Sequence, residues 1–391
     1  MLPRMKKLLS RIAILIALLV LGFFVLAPPL VERVLNRVVA EKAFAPSNEA
    51  SNLHPQLRIV DLHADSLLWG RDLLERSTHG AVDVPRMIEG NVALEIFTAV
   101  TKTPRGLNYE RNDSSSDTII WLALAQRWPP RTWNSLTQRA LYLAERFQST
   151  AAASGGRLVP IRTARDLKNY LERRQVNPNI TAGLLGIEGG HALDGKLENL
   201  NVLFDAGYRY ISLTHFFDDE FAGSSAGAVK GGLTPLGREL VRRMNEKRII
   251  IDLAHTSPRT IQDVLALTKR PVIVSHGGLK GACNNNRNLS DEEARGIARS
   301  GGVIGIGFWE TAVCGTDVQA IVRSMRYGAN LIGSEHIALG SDFDGAVSVP
   351  FDSAHLVELT DALLKNGFTP AEIRAIMGEN ALRFLFESLP E

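Results

Sequence analysis

The chain has 391 residues, 45% apolar and 22% charged, which fits one large folded domain or two ordinary ones with a sizeable core. Its net charge of +2 gives no reason to expect nucleic acid as a partner, and the basic excess sits in residues 1–45, with seven basic and two acidic groups. The two cysteines, Cys283 and Cys314, exclude a CxxC pair and a zinc ribbon; one disulfide is possible, and two unpaired thiols are the favoured reading.

The first element is apolar. Arg4, Lys6, Lys7 and Arg11 precede an uncharged run of 19 residues, Ile12 to Leu30, broken only by Gly22 and the Pro28–Pro29 pair. A bilayer-crossing helix needs about 20 such residues. The upstream basic cluster predicts a cytoplasmic N-terminus and an extracytoplasmic body. A cleaved signal peptide is the alternative, with Val25-Leu26-Ala27 or Ala43-Phe44-Ala45 as small-residue sites; it would give a secreted protein. Residues 1–11 then form a cytoplasmic basic tail and 12–30 the anchor. Residues 31–56 form a juxtamembrane helix (Val31 to Lys42) and a linker, and the catalytic domain begins at 57.

From residue 57, short apolar runs alternate with amphipathic stretches. Eight strands are expected: Arg58–Leu62, Val92–Val100, Ala182–Ile187, Tyr208–Leu213, Arg248–Leu253, Val272–Ser275, Gly302–Gly307 and Ile337–Gly340. Most are β-branched and apolar on both faces, as buried parallel strands are. Helices are expected over Asp194–Ala206, Pro235–Lys247, Pro258–Thr268, Asp291–Ser300, Asp317–Gly328 and Ser353–Asn366. Ser290 and Glu293 form a capping box for the fourth. This alternation predicts an α/β fold, a (β/α)8 TIM barrel of the metal-dependent-hydrolase type. An open doubly wound sheet is the alternative, weakened by the lack of a GxGxxG motif after the first strand. Residues 101–150 break the rhythm and read as a helical elaboration, a lid or an outer layer, with a helix from Leu136 to Phe147.

Chemistry-bearing residues fall at the strand ends. His63 and Asp65 alternate after the first strand, so both side chains can reach one ion. Glu188 follows the third, where a buried carboxylate needs a partner. His215, His255 and His276 end three consecutive strands, and Asp342 follows the last. Any one of these histidines alone reads as a hydrogen-bonded core residue. Together they mark the C-terminal rim, where barrel active sites lie. Neutral imidazole and carboxylate ligands suit zinc. Two ions fit better than one: His63, Asp65 and Glu188 on the first, Glu188, His255 and His276 on the second, with Glu188 bridging. Ions about 3.5–4 Å apart activate a shared hydroxide and polarise a carbonyl.

In this order the residues resemble the membrane dipeptidase (renal dipeptidase) family of zinc peptidases. The matching pieces are DLHAD at 61–65, IEGGH at 187–191, SLTH at 212–215, GLTPLGRELVRRMN at 232–245, IDLAH at 251–255, VIVSH at 272–276, NNNRNLSD at 284–291 and GSDFDG at 340–345. The resemblance implies hydrolysis of dipeptides at two zinc ions, the metal ligation above, and tolerance of a D-residue at the second position. It implies that His215 stabilises the tetrahedral oxyanion, that Arg287 binds the substrate carboxylate and that Asp342 is the acid/base group. It also implies a homodimer. Ala64 stands where many members have Asn, Asn91 where Gly is common, and the loop 216–231 follows a less common version. These departures bear on substrate preference. His191, Asp252 and Asp344 read as groups that orient the ligands. Two other functions compete: a dinuclear amidohydrolase acting on modified amino acids or lactams, and a binding protein that kept the fold without catalysis.

Overall fold

The structure, a computed structural model, describes residues 2–39 and 44–391. Eight parallel strands form a closed ring: β1 (Ile59–Ala64), β2 (Val92–Val100), β3 (Thr181–Glu188), β4 (Tyr208–Ser212), β5 (Ile250–Asp252), β6 (Ile273–Val274), β7 (Val303–Ile306) and β8 (Ile337–Leu339). Each pairs with its neighbours in sequence, and β8 closes the ring on β1 through Leu339 opposite Asp61. The expected (β/α)8 barrel is the observed fold. A further strand, Leu158–Ile161, lies beside the first half of β3 and was not anticipated.

Strand alternation splits the core in two. Val60, Leu62, Leu94, Leu184, Ile250 and Ala338 pack with Phe384 and Leu385 of the C-terminal helix Asn380–Ser388. Their alternates, among them Phe97, Ile187, Ile251 and Leu339, pack with helix residues such as Leu143, Met244 and Met325. The C-terminal segment closes the N-terminal end of the barrel. A Cβ on Gly378 would lie 1.8 Å from the Arg58 carbonyl, so only glycine lets the chain pass that close to the start of β1. The opposite end is left for chemistry.

The helices Pro235–Lys247, Pro258–Leu267, Asp291–Arg299 and Val318–Ile332 fall where amphipathic spacing put them, and the Ser290–Glu293 capping box is present. The stretch expected as one helix over Asp194–Ala206 is helical only from Asn199. Asp194 instead adopts a left-handed conformation, and its carboxylate accepts from the Ser135 hydroxyl (2.6 Å) and the Leu136 N–H (2.9 Å). Ser353–Asn366 is likewise split, into a turn at Ser353–His355 and a helix over Val357–Lys365.

At the N-terminus, helix α1 (Leu2–Val25) leads through a turn at Leu26 into α2 (Ala27–Leu35). The apolar run 12–30 is therefore shared by two helices, not held in one. The cause is local, because Pro28 and Pro29 fit only the first turn of a new helix. The helix expected over Val31 to Lys42 ends at Leu35; of the rest of that stretch, residues 40–43 lie outside the described ones. Among the described residues, Arg4–Val25 is the one segment long and apolar enough to cross a membrane, with a mean hydropathy of 2.7.

The stretch 101–150 holds α3 (Ile119–Ala125) and α4 (Leu136–Ala153). Arg139 of α4 is buried and donates to the carbonyls of Thr101 (2.7 Å) and Thr132 (2.8 Å) and to the Asp117 carboxylate (2.6 Å), so one guanidinium gathers the whole excursion onto the barrel. Cys283 and Cys314 form a disulfide, Cα–Cα 5.3 Å, which corrects the two-thiol reading. Spacing in sequence could not reveal it. The loops after β6 and β7 meet on the rim, where the Asn288 side chain donates to the Ala312 carbonyl at 2.9 Å.

His54 gives a test of this packing. Its ring is held between Thr360 Oγ1 (2.8 Å) and the Gly90 carbonyl (3.2 Å). Burial lowers its pKa from 6.5 to about 4, against the pull of the Gly90 carbonyl. The unfolded chain therefore takes up a proton below about pH 6.5 while the folded chain resists until about pH 4. The stability this neutral histidine contributes is complete above that window and is lost as pH falls through it. Between pH 7 and 4.5 the parent chain should lose roughly 2–3 kcal/mol more than the His54→Gln variant in denaturant melts; equal losses would show that His54 charges freely in the fold.

Candidate metal centre

The strand ends converge on one buried cluster. His63 lies in the last two residues of β1 and Asp65 directly follows it, both buried. The loop after β8 is laid alongside: Ala64 bridges Phe343, the Asp65 N–H donates to the Phe343 carbonyl (2.9 Å), and the Ser341 N–H donates to Asp61 (2.8 Å). This pairing carries Asp342 to the cluster, where its Oδ1 lies 3.8 Å from His63 Nε2. Asp342 and His255 both hold a left-handed backbone, φ +62 for each, which non-glycine residues adopt at a cost.

Glu188, at the end of β3, is central. Its Oε1 is 3.1 Å from His255 Nε2, 3.4 Å from His276 Nε2 and 3.7 Å from His63 Nε2, and its Oε2 is 3.2 Å from His215 Nε2. His63 Nε2 is 3.6 Å from Asp65 Oδ1, and the Nε2 atoms of His255 and His276 are 2.9 Å apart. Gly189 follows with φ +101, and a Cβ there would strike the His191 ring. Glycine is thus required for the chain to turn away directly behind the glutamate.

Burial sets the electrostatics. It pushes Glu188 well above the usual carboxylate range and Asp342 up to about 8. It drives His215, His255 and His276 well below the usual imidazole range. For His63 burial acts downward too, but Asp65, Glu188 and Asp342 outweigh it and raise the ring to about 10. Such a group of carboxylates and imidazoles is the donor set of a divalent cation, whose charge would take the place of the proton on His63. Donors 2.0–2.1 Å from one tetrahedral ion lie about 3.3 Å from one another. The observed separations of 2.9–3.7 Å bracket that value, so the residues present fit a metal. Three triads have suitable spacing: His63, Glu188 and His276; Glu188, His215 and His255; His63, Asp65 and Asp342.

Supporting groups orient these rings. Asp252 accepts from the Ser275 N–H (2.8 Å) and hydroxyl (2.7 Å), and the Ser275 oxygen lies 2.9 Å from His276 Nδ1. His276 therefore donates through Nδ1, which leaves the Nε2 lone pair facing the cluster. His63 Nδ1 meets the Tyr210 hydroxyl at 3.0 Å, and Thr98 donates to Asp65. Ser275, Tyr210 and Thr98 were missed in the sequence; Ser275 adjoins His276 and Thr98 faces Asp65 from the next strand, whereas Tyr210 reaches His63 from across the barrel and left no local signal. Asp344, expected to orient a ligand, instead binds Ser66 (2.6 Å), the Ala81 N–H (2.7 Å) and Arg71. His191 stacks on Phe217 with ring centroids 4.9 Å apart, and burial lowers its pKa to about 3.

Arg287 is buried behind His276. Its Nη2 donates to the His276 carbonyl (2.8 Å), its guanidinium lies 5.8 Å from the Trp309 ring centroid, and its Nε has no hydrogen-bond partner. The Ser224 hydroxyl ties the loop 216–231 to the carbonyls of His215 and His255. In front of the cluster lies a cavity of about 490 Å3, bordered by Asp65, Glu188, His215, His255, His276 and Asp342 and walled by apolar side chains.

A family model described as membrane dipeptidase, peptidase family M19, matches residues 47–388. A dipeptidase of Aspergillus oryzae, aclJ, is 28% identical over 353 residues, 84% of this chain and 77% of that protein. An uncharacterized dipeptidase of Schizosaccharomyces pombe is 27% identical over 87% of this chain and 83% of its own length. Among solved structures, a metallo peptidase from Rhodobacter sphaeroides bound to a phosphinate mimic of L-Ala-D-Ala aligns with a TM-score of 0.68 at 23% identity, covering 85% of this chain and 99% of that one. The probable dipeptidase PvdM of Pseudomonas aeruginosa aligns at 0.72 with 19% identity, covering 87% and 97%.

Replacing Asp252 by Asn keeps its shape but lets the side chain donate where it now accepts. We expect Asp252→Asn to weaken retention of the bound metal roughly 10–100-fold in chelator competition. Unchanged retention would mean that the Asp252–Ser275 contact only joins the strands.

Proposed function

The chain belongs to the membrane dipeptidase family and is a metallodipeptidase, and we propose that it cleaves dipeptides at two zinc ions bridged by Glu188. The observation that carries this reading is the convergence on Glu188, whose Oε1 lies within 3.1–3.7 Å of His255, His276 and His63. His63 and Asp65 would hold one ion and His255 and His276 the other, with Glu188 shared between them. A zinc pair, when bound, supplies a hydroxide at neutral pH and polarises the scissile carbonyl.

The remaining steps belong to the chain's own groups. His215, buried and neutral, presents Nε2 beside Glu188 and stabilises the oxyanion as the carbonyl becomes tetrahedral. Asp342, beside His63, takes the proton of the nucleophile and hands it to the leaving amine. Arg287, with a guanidinium nitrogen lacking a partner in a buried site, binds the substrate's terminal carboxylate. The mimic of L-Ala-D-Ala held by the Rhodobacter relative supports extending tolerance of a D-residue at the second position to this chain. The helix Arg4–Val25 is read as a retained anchor, with the barrel outside the cytoplasm. The basic cluster in the first turns of that helix and the Cys283–Cys314 disulfide support this side.

A panel of dipeptides, matched tripeptides and N-acylated amino acids tests the substrate. Dipeptides should be turned over at least about 100-fold faster than tripeptides, since a site built to pair a charged terminus rejects substrates that misplace it; equal rates would sink the proposal, and preference for the acylated compounds would favour a different amidohydrolase. Glu188→Gln should abolish turnover and reduce bound zinc measured by elemental analysis, and near-normal turnover would refute the bridge. Arg287→Ala should raise KM for free-acid dipeptides and leave their amides little changed.

A further inference from the structure

The family match begins at residue 47, yet the cavity in front of the metal centre is bordered by residues that precede it. Phe23, Ala27, Val31 and Leu35 recur every four residues across α1 and α2, and all four face the cavity. That spacing is one face of a helix. The Leu26 turn does not interrupt it, because the Leu26 N–H bonds the Gly22 carbonyl (2.9 Å) and the Leu30 N–H bonds the Leu26 carbonyl (3.2 Å). Trp121 and Leu122 of α3, which packs beside α1 and α2, also line it.

This helix is fixed to the rim. Glu32, buried, pairs with Arg71, and Arg71 also pairs with Asp344, two residues beyond Asp342. The Asn36 side chain accepts from the Ala346 N–H at 2.8 Å, and Arg37–Val38 forms a parallel strand pair with Ser348–Val349. The cavity is therefore polarised. Its charged groups, Asp65, Glu188 and Asp342, lie at the metal centre, and α1 and α2 contribute only apolar side chains.

We propose that the face Phe23–Ala27–Val31–Leu35 is the specificity wall of the enzyme, which selects dipeptides carrying bulky apolar side chains over small or charged ones. This rests on the dipeptide reading above. The backbone amide and charged termini of a dipeptide engage the metal centre and its neighbours, so its side chains point to the walls. An apolar wall favours a leucyl over a glycyl side chain by roughly ten- to a hundredfold in kcat/KM.

The test uses the full-length, zinc-loaded chain in detergent with Leu-Leu and Gly-Gly as probes. Val31 and Leu35 are each 41% exposed, so polar replacements there do not empty the core. Val31→Ser with Leu35→Ser should lower the Leu-Leu to Gly-Gly ratio of kcat/KM at least about fivefold, through KM for Leu-Leu. Leu30→Ser with Val34→Ser, on the same helix but away from the cavity, should leave the ratio unchanged. Turnover of both probes with a ratio unmoved by the first pair, or moved equally by the second, overturns the wall alone. Failure of the parent chain to cleave either probe overturns the dipeptide reading and the wall with it.

Discussion

Carboxylates crowded together out of water repel one another and lose hydration, and this barrel is organised around that difficulty. Asp65, Glu188 and Asp342 are all buried at the same rim with His63, His215, His255 and His276. These carboxylates cannot all stay ionised together without a counter-charge. A divalent cation does, and the spacing of donors about Glu188 matches what one demands. Much of the surrounding structure keeps the donors aimed. Asp252 holds Ser275 and Ser275 holds His276, while Tyr210 and Thr98 hold His63 and Asp65. The left-handed backbones of His255 and Asp342 are a further cost borne at the same place.

Closure of the ring is the other half of the arrangement. The strands are short, some only two or three residues, and parallel, so each delivers its terminal side chain to the same end. Around β6, β7 and β8 the backbones approach very closely. A Cβ on Gly305 would fall 2.0 Å from the Ser275 carbonyl, and one on Gly340 would fall 2.1 Å from the same oxygen. Two glycines therefore let Ser275, and with it His276, sit tightly against the neighbouring strands.

The eight barrel strands were legible because burial on both faces makes them uniformly apolar, and the polar residue that ends each run stands out against it. His63, Glu188, His255 and His276 could be found in that way. The capping box at Ser290 was legible because its geometry is local. What escaped depended on contacts between distant segments. Asp194 gives up a helical position to cap α4, Cys283 meets Cys314 only when two rim loops fold together, and Glu32 is buried against Arg71 and His79, 39 and 47 residues away. Arg287 was placed by the family resemblance alone, since an arginine in an Asn-rich loop reads as surface until its neighbours are known.

The near-continuous rod from Leu2 to Leu35 carries one more implication. Each residue in a helix turns the chain by about 100°. Inserting or deleting a single residue between Phe23 and Ala27 would leave composition and length almost untouched, yet would swing Phe23 out of phase with Ala27, Val31 and Leu35. The docked half, locked by Glu32, could not follow. Drift in this segment is thus constrained in angle more than in hydrophobicity. Substitutions among apolar residues are cheap, and a shift of register is not.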